Sequence, residues 1–127
     1  MRITMILPAF VCLSSPVVFA ESWTGDLVDA TCYQGAESNA SPFSASIYVS
    51  HDRALVIRQC RPRPDKTKRF TLVEKYGQTI QLDPAGDTKA ADLVRNADKK
   101  SPYIHVAVTG EKINDDRVRV DSISPAR

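Results

Sequence analysis

The chain has 127 residues, with 17 lysines and arginines against 15 aspartates and glutamates, a formal net charge of +2, and 43% apolar residues. That length supports one domain with its own core and not two, and the apolar fraction excludes a disordered chain. A charge so close to balance carries no demand for nucleic acid or an anionic membrane.

Residues 1–20 have the layout of a secretory signal peptide: one early cation, Arg2, then an apolar run over 3–13, then Val18-Phe19-Ala20 as a cleavage site. The apolar run is broken by Pro8 and is shorter than the roughly 20 residues a membrane span needs. Cleavage is expected after Ala20, leaving residues 21–127 with 16 basic and 15 acidic side chains. Val11 stands where a lipid-attachment signal carries a small residue, so Cys12 is expected to leave with the leader rather than be acylated. Cys32 and Cys60 remain, an even pair suited to a disulfide in an oxidising compartment. The bridge would close a loop of about 29 residues, worth roughly 3.5 kcal/mol in the chain-entropy account. A reactive or metal-bound thiol pair is the competing reading, and it lacks a Cys-x-x-Cys spacing.

Residues 23–31 alternate as a strand, with Gly25 marking a bulge or a sharp coil. Residues 33–42, rich in Gly, Ala, Ser and Asn, predict an exposed loop. Ile47-Tyr48-Val49 and Ala54-Leu55-Val56-Ile57 are short β-forming runs around the turn-like Ser50-His51-Asp52-Arg53 and favour two strands over a helix. Pro62 and Pro64 predict an extended connection over 61–68. Strands follow at 70–76 and 79–82 around a Gly77-Gln78 turn, and Asp83-Pro84-Ala85-Gly86 ends that hairpin. Asp87 or Thr88 then caps a helix to about Ala97, with Ala90, Leu93, Val94 and Ala97 as its apolar stripe. Residues 103–109 and 117–122 alternate cleanly, placing Ile104, Val106, Val108, Val118 and Val120 inward, with Ile123 completing the core and Gly110–Asp116 as the turn between. The expected fold is therefore mainly β: a small five-stranded barrel of the oligonucleotide/oligosaccharide-binding (OB) type, with one short helix between the third and fourth strands, one disulfide, and a variable insertion at about 33–68.

The opening Trp23-Thr24-Gly25-Asp26-Leu27-Val28-Asp29-Ala30-Thr31-Cys32 resembles that of a family of small exported bacterial proteins of OB-like fold and unknown function. So does the close, Val106-Ala107-Val108-Thr109-Gly110-Glu111 and then Val118-Arg119-Val120-Asp121-Ser122-Ile123. The resemblance implies a fold and an export route, to the periplasm or the medium, and transfers no activity or catalytic residue.

The sharpest charge feature is residues 53–69, where Arg53, Arg58, Arg61, Arg63, Lys66, Lys68 and Arg69 face only Asp65. Arg58, Arg61, Arg63, Lys66, Lys68 and Arg69 are the candidate anion-binding residues, with Tyr48, Phe70 or Tyr76 as ring-stacking companions. The bland reading is a solvated loop that aids solubility. Aromatics are not interleaved with these cations, so an anionic polysaccharide or other envelope component is expected as the partner rather than nucleic acid.

His51 and His105 offer too few converging ligands for a metal, and no cofactor fingerprint is present. Ser50-His51-Asp52 contains triad residue types, but neighbours along the chain point in different directions and cannot relay a proton. Asp115-Asp116 is read as turn chemistry, and Trp23 as a lid over one end of the core. The function expected is binding rather than catalysis. The alternative is a structural or protein-interaction module that pairs through a strand edge near 47–49 or 54–57.

Overall fold

The computed structural model describes residues 20–39 and 50–126. The leader, the strand expected at 47–49 with Tyr48, and the side chain of His51 lie outside the described residues.

The elements run β1 (Glu21–Asp29), α1 (Ala30–Asn39), α2 (Ser50–Gln59), β2 (Phe70–Val73), β3 (Thr79–Leu82), α3 (Pro84–Asn96), β4 (His105–Asn114) and β5 (Arg117–Pro125). The strands close in the order β1-β2-β3-β5-β4 and back to β1. Every neighbouring pair is antiparallel except β3 with β5, which meet in parallel at Gln81↔Arg117 and Leu82↔Val118. This is the OB-type barrel that the order of apolar runs predicts.

β1 serves two neighbours. Its first part pairs β4 from Glu21↔Gly110 to Asp26↔His105, and its second pairs β2 from Asp26↔Val73 to Asp29↔Phe70. The change of partner falls at Gly25 and Asp26. A side chain at Gly25 would run into the Val73 carbonyl, so glycine there lets β1 and β2 approach closely.

The barrel interior holds Trp23, Leu27, Phe70, Leu72, Ile80, Leu82, Ile104, Val106, Val108, Val118 and Val120, with Ala90 and Val94 of α3 closing it. Trp23 joins this cluster, as its place at the strand start suggested, and Ile123 packs against it from a half-buried position.

α3 begins earlier than expected. Asp83 is its N-cap: Oδ1 accepts from the Gly86 N–H at 2.9 Å, and Pro84 opens the helix, where a missing N–H costs nothing. The same Oδ1 accepts from the Val120 N–H at 3.2 Å, tying the helix start to β5. β4 also continues through Gly110 to Asn114, with register shifts along its pairing to β5, so the turn is shorter than the one read at 110–116.

Two expectations for the insertion are corrected. Residues 30–39, read as strand end and loop, form α1, because the Asp29 carboxylate accepts the Cys32 N–H at 3.1 Å and caps it. The run 54–57, read as a strand, belongs to α2, which has Asp52 in its first turn and Arg58 in its last, both signs favourable to the helix dipole. The pairing edge proposed at Ala54–Ile57 is thereby removed. The chain has three helices among its described residues, and the predicted one is α3.

α1 and α2 fold because the barrel offers them an apolar outer face. Val28 of β1 and Val73 of β2 point away from the core and are buried all the same, in a second cluster with Tyr33, Ile57 and Cys60. Val56 and Tyr103 flank it, and the Tyr103 hydroxyl donates to the Ala54 carbonyl at 3.3 Å.

A candidate anion-binding groove

Cys32 and Cys60 form a disulfide that ties the first turn of α1 to the residue after α2. The Cys60 carbonyl accepts the Asp29 N–H at 2.8 Å, so the chain leaves α2 hydrogen-bonded to the end of β1. Pro62 is fully buried next, and the connection is therefore anchored before its charged part begins.

Residues 63–67 form a tight turn. Lys66 and Thr67 donate their N–H groups to the Arg63 carbonyl at 3.3 and 3.1 Å, and Asp65 takes a left-handed φ of 62°. Thr67 is buried and central: its hydroxyl accepts the Arg63 N–H and donates to Asp29 Oδ2, both at 2.9 Å. Asp65 is held from outside by Arg95 of α3 at 3.0 Å. The extended linker expected from its prolines is thus a pinned turn.

The fold draws five of the six candidate cations into one groove of about 520 Å³. Arg61, Arg63, Lys66, Lys68 and Arg69 line it together with Asp29, Thr31, Gln59 and both cysteines. Among the described residues, none of Arg63, Lys66, Lys68 and Arg69 takes part in an ion pair. Asp29, the carboxylate that lines the groove, has both oxygens engaged by the Cys32 N–H and the Thr67 hydroxyl. The groove is therefore a concentration of positive charge whose repulsion an incoming anion relieves.

The cations are not equivalent. Arg61 Nε donates to the Ser101 carbonyl at 3.0 Å and its Nη2 to the Asp98 carbonyl at 3.0 Å, so its guanidinium pins the connection to the 98–101 segment. Arg58 is exposed on the last turn of α2 and does not line the groove. Arg53 is buried and donates to the Lys75 carbonyl at 2.9 Å. Of the suggested aromatics, Phe70 is in the barrel core and Tyr76 is exposed on the β2–β3 turn. Neither lines the groove. Asp29 and Thr31 do, and sequence reading left both out. Asp29 directly precedes a helix, a position where a carboxylate serves as a cap, and that signal becomes visible only once residues 30–39 are recognised as helical.

His105 lies on the outer face of β4, as expected, but it is not simply solvated: its Nδ1 is 3.3 Å from Asp26 Oδ1 across the β1–β4 pairing. Below the basic turn, Asp87 accepts the Phe70 N–H at 3.0 Å. Burial pushes its carboxyl above the usual range, against the opposing pull of that hydrogen bond and of the nearby Arg69. A carboxylate whose pKa is raised on folding contributes stability below its unfolded pKa and loses it as pH rises through the folded value. Asp87→Asn keeps the acceptor for Phe70 and abolishes the titration. Its urea midpoint is expected to match that of the unsubstituted protein near pH 3 and to exceed it slightly at pH 7; a lower midpoint at pH 7 would contradict this.

Comparison with protein-family models, with curated proteins and with solved structures finds no match. Among the described residues no helix is long and apolar enough to cross a membrane.

Proposed function

We propose that this chain is an exported binding module of the bacterial envelope, related to the small exported OB-like proteins it resembles, and that its basic groove holds the phosphate, sulfate or carboxylate of an envelope component. The single observation that supports this most is the gathering of Arg63, Lys66, Lys68 and Arg69, without internal ion pairs, around one groove. Clustered cations attract anions at a distance of about a Debye length, roughly 8–10 Å at ordinary salt, and hydrogen-bond them at contact. The disulfide supports the export part of the reading, since such bonds persist in oxidising compartments. The reading is one of binding rather than catalysis.

Reversing Arg63, Lys66 and Lys68 to Glu tests it without touching the structural Arg61. A control triple at the exposed Lys75, Lys89 and Lys112 changes net charge equally. On a sulfated-polysaccharide column the unsubstituted protein and the control are expected to elute together at moderate salt, and the groove triple to flow through. Equal loss in both triples would reduce the effect to net charge. Equal retention of all three would sink the anion site and favour the protein-interaction alternative.

A further inference from the structure

A second groove, of about 590 Å³, lies where the end of α3 meets the start of β4 and the end of β5. Leu93, Ala97, Ile104 and Pro125 give it apolar walls, and Tyr103 adds an aromatic edge. Both grooves fall within the roughly 300–1,000 Å³ common to small-ligand sites. They share a partition. Arg61 lines the basic groove, and the two carbonyls that hold its guanidinium belong to Ser101 and Asp98, which line the apolar one.

The charges divide sharply across that partition. On the basic side stand four cations outside any ion pair among the described residues. On the apolar side the one basic group is His105, which is paired with Asp26, and the Asp98 carboxylate is occupied by the Lys100 N–H at 2.9 Å. The apolar groove therefore has little of its own to hold an anion, and among the described residues the two disulfide-bonded cysteines are the only apolar side chains lining the basic groove, too few to hold a chain.

Resting on the anion-binding reading, we propose that the natural ligand is an amphiphile: an anionic headgroup in the basic groove at Arg63, Lys66 and Lys68, with its acyl chain laid past Arg61 into the groove at Leu93, Ile104 and Pro125. Charge complementarity places the head, and the apolar walls beyond the partition place the chain.

Titration of the protein, followed by amide chemical shifts, with dodecyl phosphate, inorganic phosphate and dodecyl maltoside below micelle formation tests this. Each buried methylene multiplies affinity about fourfold, so burying three makes dodecyl phosphate bind on the order of 50-fold tighter than inorganic phosphate. Dodecyl maltoside, which has the chain without the charge, is expected to bind more weakly than dodecyl phosphate. Leu93→Glu, and Pro125→Glu as a second variant on an exposed residue should the first not fold, are expected to bring dodecyl phosphate to the affinity of inorganic phosphate and leave the latter unchanged. Equal affinities for the two phosphates overturn the proposal and leave the anion site standing, as does tight dodecyl phosphate binding that neither variant weakens. Binding of neither phosphate overturns both.

Discussion

Replacing Cys32 and Cys60 together by serine is expected to cost about 3.5 kcal/mol of unfolding free energy, the entropy of a closed loop of this size. For a domain of about 100 residues that is a fall of roughly 10–20 °C in melting temperature. The loss is expected to be local before it is global. The bridge holds the start of α1 to the exit of α2, and both cysteines line the basic groove. Retention on an anionic column is therefore expected to weaken even at temperatures where the barrel, which encloses its own core, is still folded. A melting temperature within a few degrees of the unsubstituted protein's, together with unchanged retention, would show that neither groove nor helices depend on the bridge.

The second large effect is expected at Ile57. Its side chain is 6% exposed and sits among Val28, Tyr33, Cys60 and Val73 on the outside of the barrel. Ile57→Ala removes buried methylenes from the only apolar contact surface described for α2, at a cost of about 2–4 kcal/mol. Because this cluster is separate from the barrel core, hydrogen exchange is expected to rise throughout Ser50–Gln59 while the β4–β5 amides keep their protection. Uniform acceleration across both would mean that the helices and the barrel are one cooperative unit.

The barrel was legible in the sequence because β3, β4 and β5 each have a single buried face with a polar or small outer one. Val106 and Val108 alternate with His105, Ala107 and Thr109, and Val118 and Val120 with Arg117, Arg119 and Asp121. β1 and β2 depart from that pattern in a way that carried information: Val28 and Val73 are apolar on the outer face, which calls for a cover. The cover itself was hidden by an inverted pattern in α2. Its buried face carries Arg53, at 8% exposure, while Leu55 is 47% exposed, so the apolar residues read as one continuous run instead of a helical stripe. α1 has no strong stripe either, and its cap, Asp29, appeared to be one more residue of the preceding strand. The cation cluster was visible as a run along the chain. Its conversion into a groove depends on Thr67 bonding Asp29 and on Arg61 reaching Ser101, contacts that span 38 and 40 residues and leave no local trace.

That conversion is the centre of the account, and amide chemical shifts recorded on the disulfide-bonded protein during titration with a sulfated hexasaccharide measure it most directly. The account predicts saturable shifts confined to residues 29–32 and 59–69, suppressed by the Arg63, Lys66 and Lys68 reversals and by added salt. Shifts scattered over the exposed lysines in proportion to their charge, or none within the groove at saturation elsewhere, would contradict it.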